Sequence, residues 1–176
     1  MFEAPPEPSS RSSHGIPPRI KDNAGVRISA KADYAVRAAL ELAAAEDPPI
    51  KAERVADAQG IPLKFLENIL VDLRQGGLVE SQRGPAGGYR LDRPPEKITL
   101  ADVVRAVDGP LASIHGDRPE ATEYRGAAEE LQTVWVALRA SMRAVLEGVT
   151  LADVVERRVP AEVLRLAREP DAWMRR

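Results

Sequence analysis

The 176-residue chain contains no cysteine. Disulfides, thiol nucleophiles and every cysteine-ligated zinc or iron–sulfur site are thereby excluded, and a reducing cytoplasm is the compartment such a composition fits. Histidine is almost as scarce, with only His14 and His115. There is no His-rich spacing and no H-E-x-x-H helix. Paired carboxylates such as Glu46-Asp47 and Glu129-Glu130 fall in turns or on polar helix faces, where solvated charge is ordinary. With no catalytic residue, metal ligand or cofactor site to nominate, the chain does not read as an enzyme. Aromatics are 4% of residues while Ala, Leu, Val, Glu and Arg dominate, so the fold is expected to be mainly α. No apolar run approaches membrane-spanning length, and residues 1–25 lack the apolar centre of a secretion signal, so no membrane association is expected.

An excess of charge of one sign is also missing. The formal net charge is -2. Residues 26–93 carry ten Lys/Arg and ten Asp/Glu, and residues 94–176 carry twelve and fourteen. Bulk charge therefore does not announce a nucleic-acid binder, and DNA binding would need its cations gathered on one face.

What is present is a succession of helix and turn signals. Residues 1–25 are rich in Pro and Ser and poor in apolar residues, as expected of a disordered arm, and Val26 is a candidate alternative start. Ser29 is placed to cap a helix reaching about Ala45, with Ala32, Ala35, Val36, Ala39, Leu40 and Ala43 as its buried stripe, and Asp47-Pro48-Pro49 ends it. A short helix over about Ala52 to Gln59 is followed by Gly60. Pro62 then opens a third helix whose Phe65, Leu66, Ile69, Leu70 and Leu73 recur at helical spacing and are expected to face the core, with Gly76-Gly77 closing it. Residues 78–82 and 88–91 are short β-type runs around a Gly- and Pro-rich tip, a hairpin. Although glycine-rich, this tip joins strand to strand and lacks the Gly-Lys-Ser/Thr ending of a phosphate-binding loop. Three helices followed by a hairpin have the order of a winged helix-turn-helix.

Further on, Thr99 and Asp102 have the spacing of a capping box. The letters TLADVV at 99–104 return at 150–155, but their flanks do not match, which favours two similar helix starts over a duplication. The longest helical pattern runs through Leu131, Val134, Trp135, Leu138, Met142, Val145, Leu146 and Val149, an apolar stripe along about 28 Å of helix. Two uses are open to it. It can pair with its copy in a second subunit, giving a two-fold dimer suited to palindromic DNA, or fold back on its own domain. The dimer is the favoured expectation.

For double-stranded DNA, the helix beginning near Pro62 offers Lys64 to guanine or phosphate, Glu67 to cytosine N4 and Asn68 to adenine. Taken alone, those residues are only a polar helix face. The hairpin strengthens the reading: Arg83 at its tip suits the narrow minor groove of A·T-rich DNA, while Gly84, Gly87 and Gly88 would let the backbone approach phosphates.

The segments AKADYAVRAALELA, VADAQGIPLKFLENILVDLRQGGLVESQRGPAGGYRL and ITLADVVRAVDGPL closely resemble the bacterial Rrf2 family of transcription regulators over about residues 27–155. The resemblance implies a dimer with an N-terminal winged helix-turn-helix and a long dimerisation helix. It places base-reading positions on Pro62, Lys64, Glu67 and Asn68, the minor-groove arginine on Arg83, and positions near phosphates on Tyr34 and Arg74. It also implies a division into a DNA-binding domain over 26–110, a sensor-type loop over 111–127, a dimerisation region over 128–160 and a tail over 161–176. Many members hold an iron–sulfur cluster in that loop on three cysteines. Here Gly116 stands at the place of the first and no cysteine follows, so the chain resembles a cysteine-free branch without that cofactor. Its effector, small molecule or protein, is not identified by the sequence; Trp135 and Tyr124 are candidates for lining a pocket, with core packing the ordinary use of Trp135. Two functions follow: a dimeric repressor that occludes a promoter, or an interaction module of the same fold that docks a partner enzyme or polymerase.

Overall fold

The computed structural model describes residues 28–114 and 117–174. The expected arm, with His14, and the loop residues His115 and Gly116 lie outside the described residues.

The first helix, α1 (Ala30–Ala43), starts where the Ser29 hydroxyl accepts the Ala32 amide hydrogen at 2.9 Å. Its buried face is almost all alanine: Ala32, Ala35, Ala38 and Ala39, with Leu42. Small side chains allow close helix approach, and four later helices meet this one. The sequence stripe is thus rotated slightly: Ala38 and Leu42 are buried, whereas Val36, Leu40 and Ala43 pack at the core's edge.

Helix α2 (Ala52–Gln59) ends on Gly60, whose φ of 62° is the left-handed conformation that closes helices without a side-chain penalty. Buried Ile61 plugs the turn, and α3 (Leu63–Gln75) follows from Pro62. Leu66, Ile69, Leu70 and Leu73 are fully buried beneath α1 and α2, as their spacing predicts. Phe65 is the exception and corrects the sequence reading. It is 41% exposed, at the margin of the apolar stripe, with its ring edge-on to Tyr34 at 5.7 Å between centroids.

The hairpin of β1 (Val79–Gln82) and β2 (Gly88–Leu91) is antiparallel, with Val79 opposite Leu91 and Gln82 opposite Gly88. Ile50 adds a one-residue third rung: its amide donates to the Tyr89 carbonyl at 3.0 Å and its carbonyl accepts from the Tyr89 amide at 2.8 Å. These elements make up the expected mainly helical winged helix-turn-helix.

Helix α4 (Leu100–Asp108) packs against both α1 and α3. A loop with single 3-10 turns at Pro119–Ala121 and Gly126–Ala128 then leads to α5 (Leu131–Glu147). The chain closes with α6 (Leu151–Val155) and α7 (Ala161–Ala167). The long stripe therefore stops as a helix at Glu147, and Val149 belongs to the connection beyond it. Both TLADVV segments form full capping boxes, Thr99 with Asp102 and Thr150 with Asp153. They also pair with each other: the Leu100 amide donates to the Val149 carbonyl and the Leu151 amide to the Ile98 carbonyl, each at 2.9 Å. Ile98 and Leu151 beside this bridge are fully buried in the main core.

Helix α5 meets α4 through Leu146, which packs on the small cluster of Ala32, Ala101, Val104 and Leu111. An ion-pair set reinforces the joint. Glu147 accepts from Arg143, one turn earlier, and from Arg105 of α4, and the two guanidiniums lower its carboxyl from an ordinary 4.5 to about 2. A carboxylate with a depressed pKa stabilises the fold fully above its unfolded value and loses that contribution as pH falls through the folded one. Glu147→Gln is accordingly expected to lower stability at pH 7. In urea unfolding the gap to the parent chain should hold down to about pH 4.5 and close as pH approaches 2.

Candidate nucleic-acid interface

The polar face of α3 is open. Pro62, Lys64, Glu67 and Asn68 are all exposed, and neither Lys64 nor Glu67 has an ion-pair partner among the described residues. The helix itself is held firmly from behind. Asp72 takes Lys31 of α1 at 2.7 Å, and the same ammonium donates to the Val107 carbonyl of α4 at 3.0 Å. One lysine thus joins three helices and neutralises an acid of α3 that would otherwise oppose an approaching phosphate.

Arg74, near the end of α3, donates from Nη1 to Ser81 Oγ of β1 at 3.2 Å. This bond links the helix to the hairpin, and Arg74 stays exposed enough to reach a further acceptor. On the strands, Glu80 pairs across the sheet with Arg90 at 2.6 Å, which holds the Glu80 carboxyl below its usual range. Arg83, at the start of the tip, is exposed and has no ion pair among the described residues.

The tip glycines divide into two kinds. Gly84 has φ 102° and open space around it, and its carbonyl accepts from the Gly87 amide at 2.9 Å to fold the tip. Gly87 and Gly88 are constrained from inside. A Cβ on Gly87 would stand 2.3 Å from the Gln82 carbonyl oxygen, and one on Gly88 would stand 2.4 Å from that of Ile50. Gly87 is moreover buried. Beside the expected approach to phosphates, both glycines have a structural reason of their own: their missing side chains let the chain approach itself.

Tyr34 is half-buried and lies between two partners. Phe65 meets it edge-on, and the Arg37 guanidinium stands 5.4 Å from its ring centroid. Arg37 also donates to the Gln59 side chain at 2.9 Å and to its carbonyl, tying α1 to the end of α2. Phe65 is therefore the residue at this surface that sequence periodicity misplaced. Lys51 and Arg54 are also exposed at the start of α2 without ion pairs among the described residues, a state that no sequence pattern marks.

The stripe of α5 is displaced from this surface. None of the helix's residues is buried: Leu131, Trp135, Leu138, Met142, Val145 and Leu146 are half-covered and Val134 is 54% exposed.

Comparison with known proteins agrees with the geometry. Residues 28–157 match the family model described as Rrf2, iron-dependent transcriptional regulator. An HTH-type transcriptional regulator of Mycobacterium tuberculosis is 52% identical over 147 residues, spanning 81% of this chain and 89% of that protein. IscR of Aliivibrio salmonicida is 33% identical over 131 residues, 74% of this chain and 77% of its own. Among solved structures, CymR, the global cysteine regulator of B. subtilis, superposes with a TM-score of 0.64 at 30% identity, covering 76% of this chain and 98% of that one. IscR of T. potens superposes with a TM-score of 0.59 at 29% identity, covering 86% and 94%. These relatives are transcriptional regulators rather than enzymes. The iron in the family's description does not fit the donor set here. The chain has no thiolate, and among the described residues no three His, Asp or Glu side chains gather where a metal ion would sit.

Because Gly88 touches the Ile50 backbone, Gly88→Ala is expected to lower stability by about 1–3 kcal/mol through forced displacement of the hairpin. Ala86→Ser, on the exposed tip, should stay within about 0.5 kcal/mol of the parent chain in the same urea titration.

Proposed function

Since the chain belongs to the Rrf2 family of transcriptional regulators, we propose that it is a dimeric repressor that binds a palindromic operator and occludes a promoter. The observation that carries this reading is the combination of an open α3 face with an unpaired Arg83, joined through the Arg74 to Ser81 bond. Lys64, Glu67 and Asn68 supply a cation, an acceptor and an amide, the three chemistries that distinguish base edges in the major groove. Pro62 fixes the helix start beside them. Arg83 enters the adjoining minor groove, where A·T-rich sequence concentrates negative potential. Arg74 and Tyr34 stand to phosphates as positioning contacts, which set register without reading sequence.

Dimer formation follows from α5. A helix of 17 residues that buries none of them leaves its apolar side to another surface, and a second copy related by a two-fold axis presents the same stripe. Two α3 helices then face successive major grooves, which is the geometry a palindrome matches.

Two substitutions test the halves separately. Arg83→Ala is expected to weaken operator binding by about 1–3 kcal/mol and to relax the preference for A·T-rich flanks. Fluorescence anisotropy over a salt series measures both. Specific DNA binding that is absent in the parent chain, with partner-protein capture indifferent to Arg83, would instead favour the interaction-module reading. Val134→Glu places a charge on the open side of α5, where the monomer barely feels it. In sedimentation equilibrium it is expected to shift the population toward monomer, while Arg83→Ala leaves the association unchanged.

A further inference from the structure

Beside the loop between α4 and α5 lies a cavity of about 310 Å³ lined by Arg105, Gly109, Pro110, Leu111, Arg118 and Arg139. Among the described residues, three guanidiniums and no acid line it. Two of the three are engaged elsewhere in part: Arg105 with Glu147 and, at 3.9 Å, Asp102, and Arg139 with Glu120. None of those acids lines the cavity. Arg118 has no ion pair among the described residues. Arg139 is enclosed, with only 14% of its side chain exposed, and its Nε has no hydrogen-bond partner among the described residues.

An enclosed donor without an acceptor costs stability, more so on a charged group. Natural folds leave few such donors, and a missing ligand is one of the ordinary explanations. Guanidinium groups present paired N–H donors that match the oxygens of a carboxylate or phosphate. Pro110 and buried Leu111 add an apolar wall on which a short carbon skeleton can rest. The volume is at the lower end of the range for small-molecule sites.

We propose that this cavity binds a small metabolite bearing an oxyanion, carboxylate or phosphate, held by Arg118 and the Arg139 guanidinium, with Arg105 completing the positive field. Neither Trp135 nor Tyr124, the sequence candidates for a pocket, lines it. The cavity lies apart from the exposed face of α3, and its occupancy is measured without DNA.

Isothermal titration of the full chain with succinate, citrate and inorganic phosphate at constant ionic strength is the test. At least one probe is expected to bind saturably, one per chain, and the comparison sorts carboxylate from phosphate. Arg118→Gln, at an exposed position the fold tolerates, should weaken that binding about tenfold or more by removing a charge-assisted pair. Arg93→Gln, which removes the same charge beside a neighbouring cavity, should stay within about twofold of the parent chain, since screening limits the reach of an exposed charge. Absence of saturable binding with all three probes, or equal weakening by both substitutions, would overturn the assignment.

Discussion

Helix α5 buries none of its own residues, so its position depends on what grips its ends. At its C-terminal end the grip is a pair of backbone hydrogen bonds, Leu100 to Val149 and Leu151 to Ile98, flanked by two identical capping boxes. Backbone bonds of this kind bring little net stability individually, but they fix geometry where side-chain packing alone would allow sliding. Buried Ile98 and Leu151 seat the bridge in the same core that supports α3. The putting together of the two helix starts thus makes the long helix and the DNA-binding fold one mechanical unit.

The same bridge shows what the sequence could and could not reveal. The capping boxes at Thr99 and Thr150 were legible because a cap is a local bond between residues three apart. Their pairing was not, since it joins backbone groups about fifty residues apart and uses no side chain. The limits of α2 and the two strands of the hairpin were legible for the same local reason, with Gly60 and the residues of the tip marking their turns. Phe65 was misplaced because it and Leu66 are adjacent, and periodicity cannot tell which of two neighbours sits at the margin of an apolar stripe. The helix at 131 was legible, but its end was not: Val149 continues the spacing although it is buried in the bridge after Gly148. The internal constraint on Gly87 and Gly88 was not legible, because a sequence shows a missing Cβ but not the carbonyl that would meet it.

A net charge of -2 does not conflict with a DNA-facing surface once the acids are followed to their partners. Asp72 is taken by Lys31, Glu80 by Arg90, Glu120 by Arg139 and Glu147 by Arg143 and Arg105. Lys51, Arg54, Lys64 and Arg83 are left without such pairs among the described residues. Attraction to a polyanion depends on local potential within about a Debye length, roughly 8–10 Å at ordinary ionic strength. Pairing acids with cations elsewhere therefore shapes the field more than the sum of charges does.

Helix α4 stands between the arginine-lined cavity and the helix that would read DNA. Arg105 and Gly109 border the cavity, while Ala106, the residue after Arg105, abuts Gly76 at the end of α3 so closely that a Cβ there would come within 2.8 Å. Lys31 joins the same two helices through Asp72 and the Val107 carbonyl. A shift of α4 would therefore bear on the end of α3 through this contact. An anion drawing on Arg105 would compete with Glu147 for the same guanidinium, and Glu147 is the last residue of α5. Occupancy of the cavity would then be felt at both helices at once: through Arg105 at the end of α5, and through Ala106 at the end of α3. In a protein without cysteines, this arrangement would give an anion in that cavity a physical route to α3, the helix proposed to read DNA, with no metal in the path.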